Sequence, residues 1–152
     1  MEQKARRLGA SEFGLSDRKD KRFYVVYDNK IIHRDLKPTN IMIGADGAKV
    51  VDFGISAIQD VVGLTSTGAF IGTAAWISPE QVNGGMVTTK SDIFSLGLVL
   101  AFASTGTHPF GSGRSDAVMF RIAHESPTLT GIPESLRPIV ESCLNKNPLL
   151  RP

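Results

Sequence analysis

The chain of 152 residues contains a single cysteine, Cys143, so it cannot close an internal disulfide, which fits a reducing cytosol better than a secreted setting. Long apolar runs are missing too. The longest, 93–103, is broken by Ser95 and Gly97 and is too short to span a bilayer. Neither sign of charge is in excess: 17 basic against 15 acidic residues leave a formal +2, and nothing points to nucleic acid or an anionic membrane as partner. The opening M-E-Q-K-A-R-R is polar with no apolar stretch behind it, so no secretory leader is expected. No Cys or second His lies at ligand spacing from His108, which reads as a loop residue and not as a metal ligand. What remains is a cytoplasmic chain of a length for one domain, able to bury about two thirds of its unfolded surface if it makes a complete core.

The informative stretch is 31–54, I-I-H-R-D-L-K-P-T-N-I-M-I-G-A-D-G-A-K-V-V-D-F-G. Alternating Ile41 and Ile43, the turn signal G-A-D-G at 44–47, and then Val50 and Val51 predict a β-hairpin that brings Asn40 and Asp52 together. Phosphoryl transfer to a hydroxyl asks for a carboxylate near the nucleophile, a cation on the migrating group and oxygen ligands for magnesium. Asp35 can be the carboxylate and Lys37 the cation. Asn40 and Asp52 are hard oxygen donors of the kind magnesium prefers. Each has a plainer reading when taken singly: Asp35 as a turn former, Asn40 as a cap, Asp52 as a surface acid.

In this order, H-R-D-L-K-P-T-N at 33–40 and D-F-G at 52–54 resemble the catalytic loop and the metal-binding loop of eukaryotic-like serine/threonine protein kinases. The resemblance implies an α+β fold, a mostly helical lower lobe with a short hairpin at the active site. It implies ATP and magnesium, and a protein substrate whose Ser or Thr hydroxyl receives the γ-phosphoryl group. By the same resemblance Asp35 is the base, Lys37 steadies the γ-phosphate, Asn40 and Asp52 hold magnesium, and Gly54 gives the metal loop its backbone freedom. The pairing of Asp35 with Lys37 in L-K-P-T-N is that of the serine/threonine branch.

Upstream, residues 1–30 read as a degenerate or truncated upper-lobe remnant or an unrelated leader. Gly9 and Gly14 break any helix starting at Met1, and R-F-Y-V-V-Y at 22–27 reads as a strand. L-G-A-S-E-F-G at 8–14 is similar to a glycine-rich loop with Ser11 in place of the middle glycine. Tyr27 then falls where the family places its phosphate-binding lysine, and no V-A-I-K pattern occurs. The helix with the partner glutamate, the hinge that grips adenine and two further helices have no counterpart before Ile31. The chain is therefore expected to be inactive by itself.

Downstream, 55–78 mixes Gly, Ser and Thr with apolar residues without a sustained period, which fits a long functional loop. In the family this is the activation segment, where phosphate on Thr65, Ser66 or Thr67 would pair with Arg34. Thr73 resembles the threonine that bonds the catalytic Asp and Lys. W-I-S-P-E at 76–80 is similar to the family's A-P-E, and Asn147 to Pro152 to its D-P-x-x-R-P. By resemblance Glu80 pairs with Arg151, a residue so near the end that fraying is expected to weaken the pair. A helix is expected over 88–103, capped by Thr89 or Ser91 and apolar on nearly all sides. Asp92 within it needs internal partners, and in the family it holds the backbone of the catalytic loop; otherwise it is an acid suited to a first helical turn. Further helices are expected over 115–124, with Ala117, Val118, Phe120, Ile122 and Ala123 as the apolar set, and over 133–144, with Cys143 as packing.

Residues 31–152 thus read as a lower lobe from the catalytic loop to the R-P motif, without the family's last helix. S-D-I-F-S-L-G and A-F-A-S-T-G-T-H-P-F-G are similar to actinobacterial-type members. The alternative, from another function class, is a kinase-like binding module without turnover, or a pseudogene-like fragment.

Overall fold

The computed structural model describes residues 32–45, 47–52 and 74–152. Expectations for the glycine-rich stretch, the strand at 22–27, Gly54, Thr65, Ser66, Thr67 and Thr73 lie outside the described residues.

The described helical part is built around one helix, which follows the hairpin and a short helix in chain order. The hairpin joins β1 (Ile41–Gly44) to β2 (Gly47–Val50), antiparallel, with Ile41 opposite Val50 and Gly44 opposite Gly47. Gly47 has φ 107°, which suits a residue without a Cβ at the turn. The alternation does form a hairpin, but it does not bury Ile43, which is 80% exposed, with Met42 61% exposed beside it. A two-stranded ribbon has no second layer among the described residues to cover both faces.

One 3-10 turn at Ala74–Trp76 and the short helix α1 (Pro79–Val82) lead into α2 (Thr89–Thr105). The cap of α2 is Thr88, ahead of the expected Thr89 or Ser91. Thr88 has the extended backbone a cap needs, its Oγ1 accepts from Lys90 N–H at 3.2 Å, and Ser91 Oγ accepts from Thr88 N–H at 3.1 Å. The helix ends on Gly106 in the left-handed region, whose N–H donates to Phe102 O. Phe94, Leu98, Val99 and Ala101 are buried, as befits a helix apolar on most sides.

Two more helices close on it. In α3 (Ser115–His124), Val118 and Ile122 lie one turn apart and point into the core, whereas Phe120 is 59% exposed. Helical geometry puts residue 120 on the face opposite 118 and 122, so the expected apolar set was too broad. Helix α4 covers Arg137–Cys143, later than the expected start at Pro133. Pro133 instead opens a turn, its carbonyl accepting from Leu136 N–H, and Pro138, without an N–H, is tolerated only in a first helical turn.

Helix α4 approaches α2 closely at Gly97, where a Cβ would stand 2.8 Å from Cys143 Cβ and 3.0 Å from Leu144 Cδ2. Cys143 is buried there, and burial pushes its thiol up to about 11, which leaves it a packing group. The core joins Phe94, Leu98 and Ala101 of α2 to Phe110, Val118, Ile122, Ile132, Val140 and Leu144. No helix among the described residues is long and apolar enough to cross a membrane.

Candidate active site

The loop ahead of the hairpin is wound tightly enough to hold Asp35 from several sides. Lys37 Nζ stands 2.8 Å from Asp35 Oδ2, and Asn40 Nδ2 donates to the Asp35 carbonyl at 2.8 Å and to Oδ2 at 3.2 Å. The second carboxylate oxygen is different. Oδ1 is buried and has no hydrogen-bond partner among the described residues, an arrangement that stability alone does not favour. An acceptor held ready in this way suits a carboxylate that must receive a proton from a substrate.

The backbone around Asp35 is fixed by groups distant in sequence. Asp92, in the first turn of α2, accepts from His33 N–H at 2.7 Å and from Arg34 N–H at 2.9 Å. Burial pushes the Asp92 carboxyl above its ordinary value, although the two N–H groups pull the other way. His33 is buried, and one tautomer serves two contacts of its ring: Nε2–H donates to Val51 O at 3.1 Å while Nδ1 accepts from Asp35 N–H at 3.3 Å. The ring thus ties the loop to the far end of the hairpin.

Among the described residues, the non-glycine positions with left-handed backbone are Arg34, φ 68°, and Asp52, φ 56°. Each costs about 1–3 kcal/mol and persists only where its surroundings over-determine it. Both flank the loop and hairpin that carry the polar cluster.

The last backbone bond of the hairpin runs from Val51 N–H to Asn40 O at 2.9 Å, so the backbone of Asn40 pairs with the residue next to Asp52. Asn40 is buried with its Nδ2 turned to Asp35, and the Thr39 hydroxyl lies 3.5 Å from its Oδ1. Asp52 is exposed. Among the described residues no three His, Cys, Asp or Glu side chains gather to cage a metal by themselves. One amide oxygen and one carboxylate do fit magnesium, which usually takes one or two protein oxygens and completes its shell with water and phosphate.

A second polar cluster ties α1 to the lower part of the fold. Arg151 meets Glu80 with both ends of its guanidinium, Nη1 to Oε1 at 2.7 Å and Nη2 to Oε2 at 2.8 Å, and the Ser91 hydroxyl donates to Oε1 at 2.7 Å. The expected fraying is not seen. Arg151 is 3% exposed, also donates to the carbonyls of Lys90, Asn145 and Lys146, and lies 4.9 Å from the Phe94 ring. Burial pushes Glu80 up, but the bonds from Arg151 and Ser91 outweigh it and leave the carboxyl below its ordinary value.

Two further residues have roles that sequence reasoning missed. Gln81 accepts from the Ser78 N–H at 2.9 Å and hydroxyl at 3.0 Å, and donates through Nε2 to the Arg34 carbonyl at 3.2 Å. His108 lies near Ala75 O at 2.8 Å through Nε2, while Nδ1 accepts from Phe110 N–H at 3.2 Å. The S-x-x-Q spacing at 78–81 signals the cap but not the reach to Arg34. A loop histidine gives no periodic signal at all.

The model of the protein kinase domain matches residues 21–152. The chain belongs to the protein kinase domain family. Over 122 residues it is 47% identical to the probable serine/threonine-protein kinase PkwA of Thermomonospora curvata, a match covering 80% of this chain and 16% of that protein. It is 43% identical over 123 residues to the serine/threonine-protein kinase AfsK of Streptomyces coelicolor, covering 80% and 15%. With the serine/threonine-protein kinase PknB of Mycobacterium leprae the figures are 45% over 129 residues, 80% and 21%. The kinase relatives are actinobacterial, and the chain spans only 15% to 21% of the length of these three. The kinase match begins at residue 21, ahead of the loop that carries Asp35, and runs through to the arginine that meets Glu80.

Proposed function

We propose that residues 33–52 form the phosphoryl-transfer site of a serine/threonine protein kinase, acting on a protein hydroxyl with ATP as donor. The observation that carries this reading is the asymmetry of Asp35, with Oδ2 held by Lys37 and Asn40 and Oδ1 buried without a partner among the described residues. Asp35 Oδ1 would take the proton of a Ser or Thr hydroxyl while that oxygen bonds to the γ-phosphorus and the bond to the β–γ bridging oxygen breaks, releasing ADP. Lys37, already beside Asp35, is placed to meet charge on the migrating group. Magnesium, when bound, neutralises charge on the β- and γ-phosphates, and Asn40 and Asp52 would hold it. Gly54 belongs to the same metal loop and Thr73 would bond Asp35 and Lys37, both by family resemblance. Arg34 is the partner for phosphate on Thr65, Ser66 or Thr67. The setting proposed is the cytoplasm.

The test uses the purified chain with magnesium, labelled ATP and a basic protein substrate, beside Asp35→Asn. Little or no transfer is expected from the chain by itself, because no V-A-I-K lysine is present for the α- and β-phosphates, and any transfer should need both Asp35 and magnesium. Transfer that persists in Asp35→Asn overturns the assignment of the base. The exposed Met42 and Ile43 favour a second reading, a kinase-like binding module. Absence of both transfer and magnesium-dependent ATP binding would decide for it.

A further inference from the structure

We propose that Gln81 is a positioning residue for Asp35, so that the short helix α1 sets the geometry of the catalytic loop through one side-chain amide. The inference rests on the phosphoryl-transfer reading for its catalytic consequence, but not for its structural one.

The orientation of the amide is determined by its partners. The Ser78 backbone N–H can only donate, so the atom 2.9 Å away must be Oε1; the Arg34 carbonyl can only accept, so the atom facing it at 3.2 Å must be Nε2. The Arg34 carbonyl and the Asp35 N–H belong to one rigid peptide plane. That plane is gripped at its oxygen by Gln81 and at its nitrogen by His33 Nδ1, 3.3 Å away. The preceding plane is held at the Arg34 N–H by Asp92 at 2.9 Å. Arg34 sits at φ 68°, a conformation costly for a residue with a Cβ, and needs both planes fixed to stay there. Release of the Arg34 carbonyl frees that peptide to rotate, and the Asp35 Cα and carboxylate move with it.

Three elements therefore meet on two peptide planes: α2 through Asp92, the loop itself through His33, and α1 through Gln81. Glu80, the neighbour of Gln81, is locked to the buried Arg151. Adjacent residues of one short helix thus clamp the Arg34 carbonyl on one side and the end of the described fold on the other.

Gln81→Glu separates this role from simple capping. A glutamate keeps an oxygen for the Ser78 N–H and hydroxyl, and glutamate at this position of a capping box is as good as glutamine. It removes the donor to Arg34 and sets a carboxylate against a carbonyl. Gln81→Ala removes both functions.

In the full chain, Gln81→Glu is expected to keep the melting temperature within about 2 °C while the Asp35 amide exchanges with solvent about tenfold faster. Amides inside α2 should keep their protection. Where transfer is measurable, kcat should fall about ten- to a hundredfold with the KM for ATP within about twofold, as for a displaced catalytic group. An effect of Gln81→Ala on melting, with Gln81→Glu matching the wild type in both Asp35 amide exchange and kcat, assigns Gln81 to the cap alone and overturns the proposal. If the wild type shows neither Asp35-dependent transfer nor magnesium-dependent ATP binding, the phosphoryl-transfer reading fails, while the exchange data still decide whether Gln81 holds the loop.

Discussion

His108 illustrates how much a single loop side chain can fix. With Nδ1 accepting from Phe110 N–H, its Nε2–H donates to Ala75 O, so the uncharged ring is the form that satisfies both bonds. Burial, with Arg121 as a smaller influence, holds its pKa below the ordinary value. A histidine depressed in the folded state contributes stability that is whole above its unfolded pKa, about 6.5, and is lost as pH falls through the folded value. The melting temperature should therefore decline as pH drops from about 7 toward 5, and His108→Gln should flatten that slope; an unchanged slope would remove His108 from the account. None of this was legible in the sequence, which offered only a histidine among helix breakers. Asp35, Lys37 and Asn40 were legible because they lie within one turn-rich motif, where proximity in sequence forces proximity in space. The contacts of Asp92 with the His33 and Arg34 amides bridge nearly sixty positions, and only family resemblance suggested them.

Among the elements, α2 and α3 are the easiest to read, because hydroxyl residues near its start and a long apolar body mark α2, and apolar residues at helical spacing mark α3 even though Phe120 lies off its buried face. The start of α4 carries no such mark: the apolar pattern fits a helix from Pro133, whereas the helix begins at Arg137 with Pro138 in its first turn. The Glu80 and Arg151 pair ties α1 to the segment after α4. Its side chains are 11% and 0% exposed, so removal of one partner leaves an uncompensated buried charge. Arg151→Ala is expected to cost about 3–5 kcal/mol in denaturant unfolding, more than a fraying end would allow. Arg151→Lys should fall between, since an ammonium cannot reproduce the two-pronged contact. Because Glu80 is held below its unfolded value of about 4.5, the pair's contribution is present above that pH and is lost as pH falls below it. Acid titration of Arg151→Ala should lack this component, and its persistence would dissociate Glu80 from the pair.

At the scale of the whole molecule, the sequence allowed the helical lower lobe to be drawn, and the residues that escaped it are those whose partners lie on other elements. Exposure was the least legible property. Ile43 follows a strand alternation that predicts burial, yet the hairpin leaves it and Met42 open, because burial depends on a second layer that no local pattern specifies. The two side chains project to opposite faces of the ribbon, and large apolar groups left open on a strand promote self-association. The double change Met42→Lys and Ile43→Thr should slow aggregation in light scattering while moving the melting temperature by no more than about 2 °C. A large drop in melting temperature would mean that one of these side chains is covered after all.

The indole of Trp76, the chain's one tryptophan, meets His108 edge-on at 5.1 Å and Phe102 at 5.4 Å between ring centroids, and the Ser95 hydroxyl donates to its carbonyl at 2.7 Å. An imidazolium quenches a neighbouring indole far better than a neutral imidazole does. Emission from this protein is therefore an optical readout of one proton on one ring, taken at the segment that leads into α1, with no label to attach.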